Sequence, residues 1–106
     1  MRIACDGRLR LAGLGLLLSV LPAEAATIEV TIEKLEIRPA VVSATVGDTI
    51  RWVNKDIMVH TATADGRFDV VIQPRQSAST VVTKAGVVDY YCRFHPNMRA
   101  RLEVAE

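Results

Sequence analysis

With 106 residues, half of them apolar, and a formal net charge of +1, the chain has room for one small packed domain, which excludes a disordered or collagen-like polymer. The near-neutral balance argues against nucleic acid as the main ligand, because such binding rests on clustered positive charge.

The first segment reads as an export signal. Arg2, Arg8 and Arg10 precede an apolar run from Leu11 to Leu21, and Ala23-Glu24-Ala25 supplies the small-x-small pattern of a cleavage site. The run is too short to span a bilayer, and Leu14 to Leu18 offers no polar face for a core helix. Residues 1–25 are therefore expected to be a secretory signal peptide. Residues 26–106 are expected to form the mature domain, delivered to the periplasm without membrane attachment. Cleavage takes the chain from thirteen basic and twelve acidic residues to ten of each, a net charge of zero. It also removes Cys5 and leaves Cys92 as a single thiol. A lone thiol in an exported protein calls for pairing, burial or a metal.

From Thr27 the residues alternate, with Ile28, Val30 and Ile32 on one face and Glu29, Thr31 and Glu33 on the other, the period of a half-buried strand. Leu35 to Arg38 reads as an irregular continuation that Pro39 interrupts. Val41 to Val46 is a second β-rich run, and Gly47-Asp48 a turn. Thr49 to Asn54 follows as a strand in which Trp52 shares a face with Ile50 and fills the core. Further strands are expected over Val59 to Thr63, Phe68 to Ile72, Ser77 to Thr83, Val87 to Cys92 and Arg99 to Val104, with turns at Asp65-Gly66 and Lys84-Ala85-Gly86. No segment of the mature chain sustains a helical period, so the expected architecture is an all-β antiparallel sandwich or barrel of seven or eight short strands.

The chemistry gathers near the C-terminus. Tyr91-Cys92-Arg93-Phe94-His95-Pro96-Asn97-Met98 places a thiol, an imidazole and a thioether at a C-x-x-H-x-x-M spacing, and His60 adds an imidazole upstream. Singly, Met98 would read as core filler, His60 as a strand-edge histidine and Cys92 as a small buried hydrophobe. Together they match two imidazoles and a thiolate in a trigonal set with a weak axial thioether, the donor arrangement of a blue copper centre. Pro96 stiffens the loop by biasing His95 toward an extended backbone. Arg93, Arg99 and Arg101 surround the motif as solvated charges, with steering of an acidic partner as the sharper alternative.

The C-x-x-H-x-x-M spacing, the approach Gly86 to Tyr91, the segment Val46 to Asn54 and the run Lys55 to Thr61 through His60 resemble the cupredoxins, the blue copper proteins. Within that family they are most similar to the amicyanin branch, whose ligand loop is the short form. The resemblance covers essentially the whole mature chain. It implies a Greek-key β-sandwich, one type 1 copper, and His60, Cys92, His95 and Met98 as its ligands. It further implies a monomeric electron carrier, not an enzyme. Such a carrier shuttles single electrons between a periplasmic dehydrogenase and a c-type cytochrome in transient contacts, with Ile57, Met58, Phe94 and Pro96 as a docking patch around His95. Three features depart from the family pattern. Val59 stands where relatives often have proline, Thr61 where several have an asparagine that braces the ligand loop, and the stretch from His60 to Cys92 is short. Two other classes were open to these residues. A copper-delivery module would favour Met-rich or His-rich tracts, which are absent, and a Cys-His hydrolase lacks orienting and oxyanion groups.

Overall fold

The computed structural model describes residues 24–106. The expected signal peptide therefore lies outside the described residues, apart from Glu24 and Ala25. Among the described residues there are nine strands, where seven or eight were expected: β1 (Thr27–Glu33), β2 (Glu36–Arg38), β3 (Val41–Thr45), β4 (Thr49–Asn54), β5 (His60–Ala64), β6 (Phe68–Ile72), β7 (Ser77–Val81), β8 (Gly86–Tyr91) and β9 (Arg99–Ala105). They form a four-stranded sheet of order β2-β1-β4-β7 and a five-stranded sheet of order β3-β9-β8-β5-β6. The all-β sandwich read from the sequence is the observed class.

Two details of that reading are corrected. The sheets are mixed and not wholly antiparallel, because β1 runs parallel to β4 and β3 runs parallel to β9. Between β1 and β4 the chain passes through β2 and crosses to the opposite sheet as β3 before returning. Alternation of side chains records which face a residue takes and is blind to the direction of the neighbouring strand. The segment after β1 is also no continuation. Lys34 and Leu35 adopt left-handed φ values of 56° and 62°, and β2 folds back antiparallel so that Ile32 faces Ile37. Two consecutive positive φ values make the tight hairpin turn that matches strand twist, but they are costly for residues with a Cβ. The carboxylate of Asp56 offsets that cost by accepting the Lys34 N–H at 2.7 Å and the Leu35 N–H at 3.1 Å.

The core lies between the sheets, where Val30, Ile32, Ile50 and Trp52 of the first sheet meet Ala62, Ile72, Tyr90 and Leu102 of the second, each nearly or fully buried. Trp52, Phe68 and Tyr90 form an aromatic cluster with ring centroids 5.6–5.9 Å apart. Trp52 Nε1–H donates to the Tyr90 hydroxyl at 3.1 Å, a buried bond from one sheet to the other. Burial pushes the Tyr90 phenol up to about 12, so it stays a neutral partner. Tyr90→Phe strands the indole N–H in an apolar interior. The expected loss is about 1–3 kcal/mol in denaturant unfolding; an unchanged midpoint would show that the bond contributes nothing net.

Candidate metal centre

The ligand loop spans the turn from β8 to β9, and its backbone explains its spacing. His95 N–H donates to the Cys92 carbonyl at 3.3 Å, and Met98 N–H donates to the His95 carbonyl at 2.8 Å. Two successive four-residue turns that share His95 thus bring every third side chain back to the same side of the loop. Cys92 N–H closes the base by donating to the Met98 carbonyl at 3.1 Å.

From the other side, β5 delivers His60. The Cys92 sulfur lies 3.8 Å from His60 Nδ1 and 3.9 Å from His95 Nδ1, and the three donor atoms all fall within 4.8 Å of one another. A metal about 2.0 Å from each nitrogen and about 2.3 Å from sulfur, at trigonal angles, separates nitrogen from sulfur by about 3.7 Å, within about 0.2 Å of what is seen. The cluster therefore could bind one copper without moving its strands. Cys92 and His60 are fully buried, while His95 is half-buried and reaches toward the surface. Met98, the fourth residue singled out in the sequence, is buried at the end of the same loop.

The surroundings orient these donors. His60 Nε2 lies 2.9 Å from Asp56 Oδ2. Burial pushes the Asp56 carboxyl up, but the amides of Leu35 and Lys34, together with His60, outweigh it and hold the group below the usual carboxylate value. An ionised Asp56 accepts, so the His60 proton sits on Nε2 and the Nδ1 lone pair faces Cys92. Asn54 steadies the connecting loop by donating to the Met58 and Ile72 carbonyls at 2.8 and 3.1 Å and accepting the Asp56 N–H at 2.9 Å. Asp56 was not singled out in the sequence; the available signal was a carboxylate four residues before a candidate ligand.

Thr61, read in the sequence as a departure from a loop-bracing asparagine, itself braces the ligand loop. Its N–H points at the Cys92 sulfur, 3.4 Å away, and its hydroxyl accepts the Arg93 N–H at 2.8 Å. The hydroxyl also contacts Thr63 Oγ1 at 2.9 Å, and Thr63 donates to Asp69 Oδ1 at 2.7 Å. That donation, then Arg93, holds Asp69 below the usual carboxylate value, so Asp69 is an acceptor only. The single Thr63 proton is thereby committed to Asp69, and Thr61 must donate to Thr63. Every proton in the chain Arg93 N–H, Thr61, Thr63, Asp69 then has one direction, and Arg93 Nε closes the ring on the same Asp69 oxygen at 3.0 Å. Thr61→Val is expected to leave the Arg93 amide unpaired and speed its hydrogen exchange about tenfold, with Thr61→Ser restoring protection. Equal exchange in all three proteins would show that the hydroxyl does not hold the loop.

Of the residues expected to form a docking patch, Ile57 is 76 % exposed, Phe94 49 % and Met58 39 %, and Pro96, next to His95 in the chain, is exposed as well. Of the three nearby arginines, Arg93 pairs with Asp69, Arg101 pairs with Asp89 at 2.8 Å, and Arg99 donates to the Pro96 carbonyl. Two of the three are thus satisfied by local carboxylates, as ordinary surface charges are.

Comparison with known proteins places this geometry. No family model matches the chain. The methylamine utilization protein MauL of Methylorubrum extorquens is 36 % identical over 90 residues, covering 80 % of this chain and 79 % of that protein. Amicyanin of Paracoccus denitrificans is 32 % identical over 84 residues, covering 73 % of this chain and 64 % of its own. Among solved structures, amicyanin from Paracoccus versutus superposes with a TM-score of 0.65 at 30 % identity, covering 81 % of this chain and 86 % of its own. A reduced Cu(I) form of an amicyanin variant gives a TM-score of 0.67 at 29 % identity, covering 81 % of this chain and 87 % of its own. Sandwich, donor cluster and relatives agree, and the chain belongs to the cupredoxins, among their amicyanin-like copper electron carriers.

Proposed function

We propose that this chain is a periplasmic type 1 copper protein that carries single electrons between redox proteins, with His60, Cys92, His95 and Met98 as its ligands. The observation that carries the reading is the placement of two Nδ1 atoms 3.8 and 3.9 Å from one buried thiol sulfur. A bound copper would supply the one-electron Cu(II)/Cu(I) couple.

The chain's own residues do the rest. The paired turns of the loop and the Asp56 contact to His60 hold the donors in one arrangement, which keeps rearrangement small when the charge at the site changes. Burial of Cys92 excludes water from the thiolate, and the Thr61 N–H offers it a donor. His95, half-buried within the rim of Ile57, Met58, Phe94 and Pro96, is the route by which a partner's redox group comes close. Contacts across so small a rim suit a transient complex of less than about 1,200 Å². The MauL and amicyanin relatives support a redox partner such as a dehydrogenase; in this reading that dehydrogenase is the donor, a c-type cytochrome is the acceptor and the chain acts as a monomer. A copper-delivery role fits less well, because exchange calls for exposed donors and both Cys92 and His60 are fully buried.

The test is the visible spectrum of the purified exported protein after addition of Cu(II). An intense blue thiolate-to-copper band is expected. A colourless protein would overturn the type 1 assignment.

A further inference from the structure

The residue before β4 is Asp48, a carboxylate that pairs with no cation among the described residues. It is only 8 % exposed. Its oxygens accept two backbone amides instead, Ala26 N–H on Oδ1 and Thr45 N–H on Oδ2, both at 2.9 Å. Its main chain is held equally firmly: its N–H donates to the Thr45 carbonyl at 2.9 Å, and its carbonyl accepts the Val82 N–H at 2.8 Å. The carboxylate is thus a rigid acceptor, with Oδ2 held by Thr45 and Oδ1 aimed at the Ala26 nitrogen.

Ala26 is also the residue immediately before β1. Its carbonyl accepts the Thr49 N–H at 2.9 Å, and Thr27 starts the parallel pairing of β1 with β4. Glu24, Ala25 and Ala26 are exposed and precede the strand. Ala23-Glu24-Ala25 is the small-x-small pattern that an export peptidase reads, and its cut falls on the bond to Ala26. We infer that the Ala25–Ala26 bond is the processing site and that Asp48 is a built receptor for the α-ammonium the cut creates, so that maturation locks the N-terminal strand. The inference rests on the export reading and not on copper.

Chemically the step is hydrolysis. Water delivers its oxygen to the Ala25 carbonyl carbon as that residue's new carboxylate, and its two protons go to the Ala26 nitrogen, which leaves as –NH₃⁺. The nitrogen stays where it was, 2.9 Å from Asp48 Oδ1, but an amide–carboxylate bond has become a charge-assisted ion pair in a part-buried setting. The Ala26 amide first, and the Thr45 amide second, already hold Asp48 below the usual carboxylate value, so the acceptor is ionised before the cation arrives.

The full chain, expressed with export, tests this in two steps. Intact mass of the purified product should place its first residue at Ala26; a start anywhere else overturns the inference. Inserting Ser-Gly between Ala25 and Ala26 preserves the cut but leaves the Ala26 nitrogen an internal amide. That insertion is expected to lower Tm by about 4–8 °C, and to cost little in the Asp48→Asn background. No drop in the wild-type background, or the same drop in both, would show that no ion pair forms. Should Asp48→Asn not fold, the wild type answers alone: an amine-acylating reagent should modify the Ala26 α-amine about tenfold more slowly in the folded protein than in urea, about the factor a charge-assisted bond confers. Equal rates would overturn the lock.

Discussion

Copper added to the Cys92→Ser variant is expected to give a protein without the intense visible band of the wild type. The band requires a thiolate bonded to Cu(II), and Cys92 is the single thiol of residues 26–106. Its sulfur is fully buried, faces both imidazole Nδ1 atoms and accepts the Thr61 N–H. Serine keeps the size but offers a hard oxygen that does not ionise at neutral pH, so any copper retained would be pale. Met98→Gln tests the thioether, proposed as the axial ligand, apart from the three clustered donors: copper and colour should persist while the reduction potential falls, since a carboxamide oxygen favours Cu(II) over Cu(I) more than a thioether does. A serine variant that stays blue would remove Cys92 from the ligand set, and an unchanged potential in the glutamine variant would remove Met98.

Asp56→Ala should damage both the site and the fold, by two separable routes. The carboxylate holds the His60 ring through Nε2 and also accepts both amides of the Lys34-Leu35 turn. Loss of an outer partner of a metal-bound histidine typically weakens metal binding about 10–100-fold. Loss of the turn contacts should cost about 1–3 kcal/mol, limited by water replacing the carboxylate at these exposed amides. Adding Leu35→Gly relieves the left-handed strain without touching His60. The double variant should therefore recover stability in denaturant unfolding while its copper titration stays weak. Wild-type affinity in Asp56→Ala would show that the ring is oriented by packing alone.

Much of the site was legible because its spacing is local. The C-x-x-H-x-x-M pattern is the period of the two turns that close the loop, so the sequence carries the geometry of His95 and Met98 relative to Cys92 almost directly. The inward faces of β1, β4 and β8 were legible for the same reason, since alternation is a property of neighbouring residues. The hairpin at Lys34-Leu35 was missed because neither residue is one that turns prefer, and the group that stabilises it is 21 residues away. Thr61 was read as a departure from the asparagine pattern; in the fold it reaches the loop amide with a shorter side chain, because Thr63 and Asp69 orient its proton.

What the sequence determined by itself, then, is most of the strands, the side their residues face and the choice of His60, Cys92 and His95 as candidate donors. All follow from residue type and from interactions within a few residues. The tertiary structure decided the parallel pairings, the approach of His60 to a thiol 32 residues later, the two duties of Asp56 and the aim of Asp48 at the Ala26 nitrogen. Each of these depends on which strands lie side by side, and that choice is made by burying two sheets against each other, a condition no local pattern records.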